Sequence, residues 1–416
     1  MRILKLKPQT EKWLLARRAQ QDAEAHTIAA EIVEDVRKHG DAALFAYTKK
    51  FDNTDLAKTG VWIEEKEIRA ARKATSVKFR KAIEKAAENV CYVAEKQLPR
   101  PWTVETTAGV KIHQVVRPIE AIGCYIPGGR FSLVSTLVMT VVPAKVASVP
   151  NIVAVCPRPN PELMAAAGIL GITRIARIGG AQGIAALAYG TKSVPRVDKV
   201  FGPGNKYVTA AKQIVSNDCA IDLPAGPTET IVFAEHGNAR WIAADLLAQA
   251  EHAKDAASFF VTTSRNLASE VQHEVQKQLA KMPNSMAHGS TQVSGAILLA
   301  ESADHACDFV NRFAPEHLSL PEGGGKLLPR IRASGTVFLG PWGAQPLGDY
   351  ATGSNHVLPT GGWARMRGGL SAADFVKCIS VQTISNRGFL QLAETVETLA
   401  ESEGLMAHRN AVRVRR

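Results

Sequence analysis

From Val110 onward the sequence alternates short β-branched runs with Ala-rich stretches of helical character, each punctuated by Gly or Pro. The β-branched runs lie at 115–116, 152–155, 174–178 and 197–201. Strands that alternate with helices in this way pair in parallel and carry the helices on the sheet faces. The same rhythm returns after Pro227, with strands expected at 230–234, 259–262, 296–300 and 337–339 and helices beginning near Ala239, Ser264 and Ser302. Two such sheets in one chain imply a cleft between them. The fold class that follows is α/β, with two Rossmann-like parallel-sheet domains.

At 416 residues, 46% hydrophobic and 21% charged, the chain has length and apolar surface for two or three cores and is not a disordered polymer. Before Arg100 the run 64–97 carries Ile68, Phe79, Ile83, Ala86, Val90 and Val93 mostly at three- and four-residue steps, which predicts helices without an intervening β signal. The expected organisation is an N-terminal helical region, 1–115, packing with the 228–378 domain; an α/β domain over 116–227; a second over 228–378; and a helical tail over 379–416. The joints Ile126-Pro127-Gly128-Gly129 and Leu223-Pro224-Ala225-Gly226-Pro227 are expected where blocks hand over. No internal repeat is visible in the sequence. The tail has too little apolar surface to fold alone and should pack on the body or on a partner subunit.

No apolar run is long enough to span a bilayer, and Met1-Arg2-Ile3-Leu4-Lys5 is not followed by a signal-like core, so the expectation is a cytoplasmic protein with no membrane partner. Six cysteines, all widely separated, argue against a disulfide framework and a Cys-based zinc site. The net charge of +11 is spread along the chain apart from Arg409, Arg413, Arg415 and Arg416, and an acidic ligand such as a dinucleotide accounts for it as well as nucleic acid does. No nucleic-acid partner is expected.

Four segments could carry chemistry. A helix over 239–252 would place Gln249 and His252 on one face of its last turn, where they could ligate zinc or simply be a polar helix end; Trp241, Ile242, Leu246 and Leu247 are its candidate buried stripe. Glu316 and His317 are an adjacent acid and imidazole suited to two successive proton transfers, or a solvated turn. Asp349 sits in a polar Gly-rich loop after the 337–339 strand, where it offers an oxygen to a metal or closes an Asx turn. Glu403 and His408 flank a helix-ending Gly404, where His408 suits a helix C-terminus. Neither Gly179-Gly180-Ala181-Gln182 nor Gly202-Pro203-Gly204-Asn205 completes the dinucleotide fingerprint with its downstream acid, yet both open helices after strands, as phosphate loops do.

Together with Tyr125-Ile126-Pro127-Gly128-Gly129, Ala225-Gly226-Pro227-Thr228-Glu229, Gln249-Ala250-Glu251-His252, Ala314-Pro315-Glu316-His317-Leu318, Gly348-Asp349-Tyr350 and Asn355-His356-Val357-Leu358-Pro359-Thr360, these segments resemble histidinol dehydrogenases over about three quarters of the chain. The resemblance implies a homodimeric enzyme that oxidises L-histidinol to L-histidine through bound L-histidinal with two NAD+ and one Zn2+ per subunit. It implies that Gln249, His252 and Asp349 bind zinc, with His408 supplied by the exchanged tail of the other subunit. Glu316 and His317 match the catalytic pair. Tyr125, Gln182 and Asn205 match the NAD contacts. Thr228, Gln249, His252, His317, Asp349, Glu403 and His408 match the substrate contacts. Thr228 stands where many members carry Ser, which keeps the hydroxyl and adds a methyl. Cys124 beside Tyr125 reads as a small buried residue rather than a nucleophile, since no basic neighbour in sequence would activate it. Two rivals are a relative on the same scaffold that oxidises another polar alcohol, such as a sulfonated diol, and a binding protein that uses the cleft or the Arg-rich tail.

Overall fold

The computed structural model describes residues 1–18, 23–128, 133–224 and 226–416; Gly129 and Ala225 of the two joints lie outside them. Two six-stranded sheets form the body. One runs Trp62–Ile63, Ile175–Ala176, Asn151–Val155, Ala121–Tyr125, Lys199–Phe201, Ala220–Ile221, parallel except for its first strand. The other runs Arg2–Lys5, Ala296–Leu299, Ala257–Thr262, Glu229–Phe233, His317–Leu320, Thr336–Leu339 and is parallel throughout. Central strands such as Ala121–Tyr125 and Glu229–Phe233 are buried almost throughout, as strands covered on both faces must be. Leaving out the N-terminal edge strand of each, both sheets follow the doubly wound order 3-2-1-4-5. An architectural repeat is therefore present although the sequence shows none.

Three expectations about the flanking regions change. The segment before Arg100 contains strands at both sheet edges; its first residues pack with the second sheet, where Leu6 and Leu14 join Phe259, Phe309 and Phe313, and its last helix also touches the 228–378 stretch, where Asn89 Nδ2 donates to the Ala351 carbonyl at 2.6 Å and Gln97 Oε1 accepts from the Ala372 N–H at 3.1 Å. The helix Ala23–His39 instead buries Ala29, Ile32, Val33 and Val36 against Val155, Ile178 and Val208 of the first sheet's layer. Glu65–Ala74 and Val77–Gln97 bury Ile68, Ile83, Ala86 and Val90 against Leu137, Val141 and Leu163 on the same sheet. The helical stripe is the same on any apolar partner, so periodicity gave no information on which sheet it would meet. The tail begins as a strand, Val376–Ile384, paired antiparallel with Val110–Pro118, which in turn pairs with Trp102–Thr107; only then come the helices Asn386–Ser402 and Met406–Arg413. Finally, the joint at Ile126 is a turn after the first strand of the first sheet, and only the joint at Leu223 leads from one sheet to the other.

That second joint is anchored by a buried ion pair. Lys212 and Asp222 meet at 1% and 0% side-chain exposure. The Lys212 ammonium also donates to the Gly202 carbonyl at 2.9 Å, and the Gly202 N–H donates to Asp222 Oδ2 at 2.8 Å. Gly202 has φ 113°, and a Cβ there would fall 2.1 Å from the Tyr125 carbonyl oxygen, so glycine is required. The pair thus fixes both polar groups of a loop at the carboxyl end of the first sheet. Lys212→Met leaves a buried carboxylate without its counterion and should cost about 3–5 kcal/mol, while Lys212→Met with Asp222→Asn should recover much of it; urea unfolding of the two variants measures the difference.

Candidate active site

The two sheets face each other with opposite ends. Their common cleft is lined from the first sheet by Pro127, Gly202, Pro203 and Asp222, which follow its strands, and from the second by Thr228, Glu316, His317 and Asp349. Thr228 and Glu316 immediately precede strands of the second sheet, and His317 begins one. Helices that follow strands of a parallel sheet run back antiparallel to them. The second sheet therefore presents helix C-termini to the cleft, at Gln249 and Asp349, and the first presents helix N-termini, at Gly180, Lys206 and Val134. One wall carries partial negative charge and suits a cation; the other carries partial positive charge and suits a phosphate.

Glu316 and His317 are not a solvated turn. Ala314 ends the helix Ala303–Phe313 in the left-handed region, at φ 50°, and the chain turns inward through Pro315 into the strand His317–Leu320. Both side chains are buried. Glu316 Oε2 accepts from Thr228 Oγ1 at 2.5 Å and from the Glu229 N–H at 2.9 Å, and lies 3.6 Å from His317 Nδ1. Thr228 Oγ1 accepts in turn from Gln249 Nε2 at 2.5 Å, and Gln249 Oε1 accepts from Gln345 Nε2. His317 Nδ1 lies 3.3 Å from the Glu229 carbonyl. A carbonyl only accepts, so Nδ1 carries the hydrogen and Nε2 keeps its lone pair in the neutral ring. That Nε2 is buried, has no hydrogen-bond partner among the described residues, and stands 3.5 Å from Asp349 Oδ1. The Asp349 carbonyl accepts from His356 Nδ1 at 2.8 Å, which ties the far side of the site.

Burial opposes a proton on His317, but the neighbouring Glu316 and Asp349 carboxylates outweigh it and raise the imidazole above its ordinary value. Burial drives the Glu316 carboxyl upward, against the pull of His317, Thr228 and the Glu229 N–H. Burial would also raise Asp349, yet His317, His356 and His252 around it bring it below the usual carboxylate range, so it stays ionised. His356 is pushed down by burial.

The helix carrying Gln249 is Ala239–Ala250, and His252 sits two residues beyond it, exposed, its N–H bonded to the Gln249 carbonyl at 3.3 Å. Ile242, Leu246 and Leu247 are buried as expected; Trp241 is exposed and lies against Trp342, with ring centroids 5.3 Å apart and planes tilted by 40°. Asp349 lies not in a loop but in the short helix Gln345–Tyr350. Tyr125 and Gln182 are buried at the carboxyl end of the first sheet, where the Tyr125 hydroxyl accepts from the Gly180 N–H at 3.1 Å. Asn205 caps the helix Lys206–Val215 through Oδ1. Cys124 is fully buried and its thiol is pushed up to about 12, which keeps it a thiol. Glu403 and His408 are exposed and do not line the cleft of their own chain.

The histidinol dehydrogenase family model matches residues 15–416. The histidinol dehydrogenases of Vibrio parahaemolyticus and Methanosarcina mazei are each 44% identical, over 93% and 94% of this chain and 90% and 91% of their own. The crystal structure of histidinol dehydrogenase from Elizabethkingia anophelis superposes with a TM-score of 0.94 at 38% identity, covering 100% of this chain and 98% of that one. The chain belongs to the histidinol dehydrogenase family. It is an oxidoreductase. The histidinol dehydrogenase resemblance read from the sequence therefore holds, and with it the α/β class with parallel-sheet domains.

Sequence reasoning missed Gln345, which fixes the Gln249 amide, and the Lys212–Asp222 pair under the Gly202 loop. They act across 96 and 10 residues of sequence, and no local pattern announces them. Thr228 is the hinge of the hydrogen-bonded chain between Gln249 and Glu316. Thr228→Val removes the hydroxyl that links Gln249 Nε2 to Glu316 Oε2 and should lower kcat/KM about a hundredfold, whereas Thr228→Ser should stay within about threefold; steady-state assays of the two variants compare them.

Proposed function

We propose that this enzyme oxidises L-histidinol to L-histidine through bound L-histidinal, with two NAD+ consumed, as the last chemistry of histidine biosynthesis in the cytoplasm. The observation that carries this is the buried His317 ring in the shared cleft, held between two carboxylates: Glu316 lies 3.6 Å from Nδ1, and Asp349 lies 3.5 Å from Nε2, which has no hydrogen-bond partner among the described residues. No helix among the described residues is long and apolar enough to cross a membrane.

A divalent cation fits the donors present. Asp349 is ionised in spite of burial, His252 is near enough to lower it further, and Gln249 ends a helix whose C-terminus points to the cleft. Among the described residues no three His, Cys, Asp or Glu side chains of one chain form a metal cluster. Gln249, His252 and Asp349 would hold zinc together with His408 of the partner subunit. As a Lewis acid with affinity for nitrogen ligands, zinc would supply a fixed anchor for the substrate's amine and imidazole.

His317 Nε2 would take the hydroxyl proton of the alcohol, and NAD+, when bound on the opposite wall, would supply the hydride acceptor. The Glu229 carbonyl holds the ring through Nδ1 and keeps Nε2 as the base. Glu316, kept in place by Thr228 and the Glu229 N–H, draws a proton from the water that adds to the aldehyde, and the hydrate then gives up the second hydride. Thr228 and Gln249, both in the wall, line the substrate. Tyr125, Gln182 and Asn205 contact NAD on the opposite wall, and Glu403 of the partner subunit faces the polar end of the substrate.

The strand and helices of the tail leave an apolar surface uncovered, including Ile379, Val381, Leu390, Leu399 and Met406. A homodimer with exchanged tails would bury it. Measured NADH per histidinol consumed should be about two and should collapse with a chelator; a ratio of about one would mean that the reaction stops at the aldehyde. Glu316→Gln should lower overall turnover to histidine by about a hundredfold or more while sparing the alcohol half-reaction better, read by aldehyde trapping; equal loss in both halves would contradict the division of roles.

A further inference from the structure

A doubly wound dinucleotide fold usually carries an acid at the end of its second strand, where it accepts the adenosine ribose hydroxyls. Here the second strand of the first sheet, Asn151–Val155, is followed by Cys156, Pro157 and Arg158, with no acid. An acid reaches the same place from another element. Asp52 ends the helix Asp41–Asp52, and its Oδ2 accepts from Gln182 Nε2 at 3.3 Å. Gln182 opens the helix after the third strand, beside Gly179, which packs on Pro157 so tightly that a Cβ would fall 2.6 Å from that ring. Arg158, whose Nη2 donates to the Gly128 carbonyl at 3.1 Å, is close enough to Asp52 to draw its carboxyl down against the upward push of burial.

Two features of this corner are incomplete within the chain. Gln182 is 1% exposed, yet its Oε1 has no hydrogen-bond partner among the described residues. Asp52 is half-buried, and Gln182 is its one side-chain hydrogen-bond donor among those residues. A carboxylate near a helix N-terminus gains from the helix dipole, but that alone leaves the Gln182 oxygen unexplained. A ligand rich in hydroxyl donors satisfies both groups at once.

We propose that Asp52 replaces the missing fingerprint acid: it accepts the ribose hydroxyls of the adenosine half of NAD+ and repels a 2′-phosphate, while Gln182 completes the contact. This rests on the NAD+ reading given above. Arg158 adds a second consequence, because an arginine beside the ribose would favour a 2′-phosphate once the acid opposite it is neutral.

The test begins with the unaltered enzyme. ADP-ribose should compete with NAD+ about tenfold more tightly than its 2′-phosphate. Asp52→Asn should close that gap, raise the KM for NAD+ more than it lowers kcat, and increase kcat/KM for NADP+ relative to NAD+ by about tenfold. Adding Arg158→Ala should take the NADP+ gain away. Equal competition by the two probes in the unaltered enzyme, or an unchanged NADP+ to NAD+ ratio in folded Asp52→Asn, overturns the assignment. Failure of both probes to compete, with no NAD+-dependent turnover, overturns the cofactor reading itself and the assignment with it.

Discussion

The facing of two parallel sheets by opposite ends is the constraint from which the rest of this molecule follows. Each sheet alone has the same strand order, and either could offer its carboxyl end to a ligand. In the cleft the first sheet does so and the second does not. The helices therefore meet the cleft with opposite polarity, positive from one wall and negative from the other. On the proposed function, a phosphate-bearing acceptor and a cation-bound amino alcohol would then lie side by side without either facing its own charge. The buried pair of Lys212 and Asp222 holds the loop on the positive wall, and Gln345 holds the amide on the negative one.

Within the negative wall, the polar groups form one connected set rather than a collection of separate residues. Gln345, Gln249, Thr228 and Glu316 are joined by hydrogen bonds, and His317 and Asp349 stand within ion-pair distance of one another and, on the other side, of Glu316. In a buried setting each such group is costly when unpaired, so the set is fixed before substrate arrives. Two atoms of the set have no hydrogen-bond partner among the described residues, Gln345 Oε1 and His317 Nε2, and on the proposed function the second is the base. Preorganisation of this kind is the largest contribution a protein makes to proton transfer at a defined atom.

The βα rhythm after Val110 is legible in the sequence because strands buried on both faces must be apolar and short, and Gly or Pro marks each crossing. Expected strands such as 259–262 and helices near Ala239, Ser264 and Ser302 coincide with observed elements, with Asn238, Ser264 and Ser302 as N-caps. The adjacency of Glu316 and His317 is legible too, but their burial is not, because it comes from Ala314 and Pro315 turning the chain into a central strand. The short edge strands Arg2–Lys5 and Trp62–Ile63 escape notice because two to four residues carry too little periodicity. The packing of the Ala23–Gln97 helices on the first sheet is likewise invisible: an apolar stripe says that a helix is covered, not by what. Asp52 and Asp222 meet their partners 130 and 10 residues away, so that their roles exist only in three dimensions.

The tail closes the account. Glu403 and His408 are solvent-exposed and do not line their own chain's cleft. On the proposed exchange, each cleft is completed by the other copy. Complementation tests this directly: His317→Ala chains and His408→Ala chains, each inactive alone, are unfolded together, mixed in equal amounts and refolded. Exchange predicts that activity returns to about a quarter of the unaltered enzyme, because half of the dimers are mixed and each mixed dimer has one complete site. If the mixture stays as inactive as its parents although mixed dimers form, the tail does not serve the partner's cleft, and the account of the site is wrong.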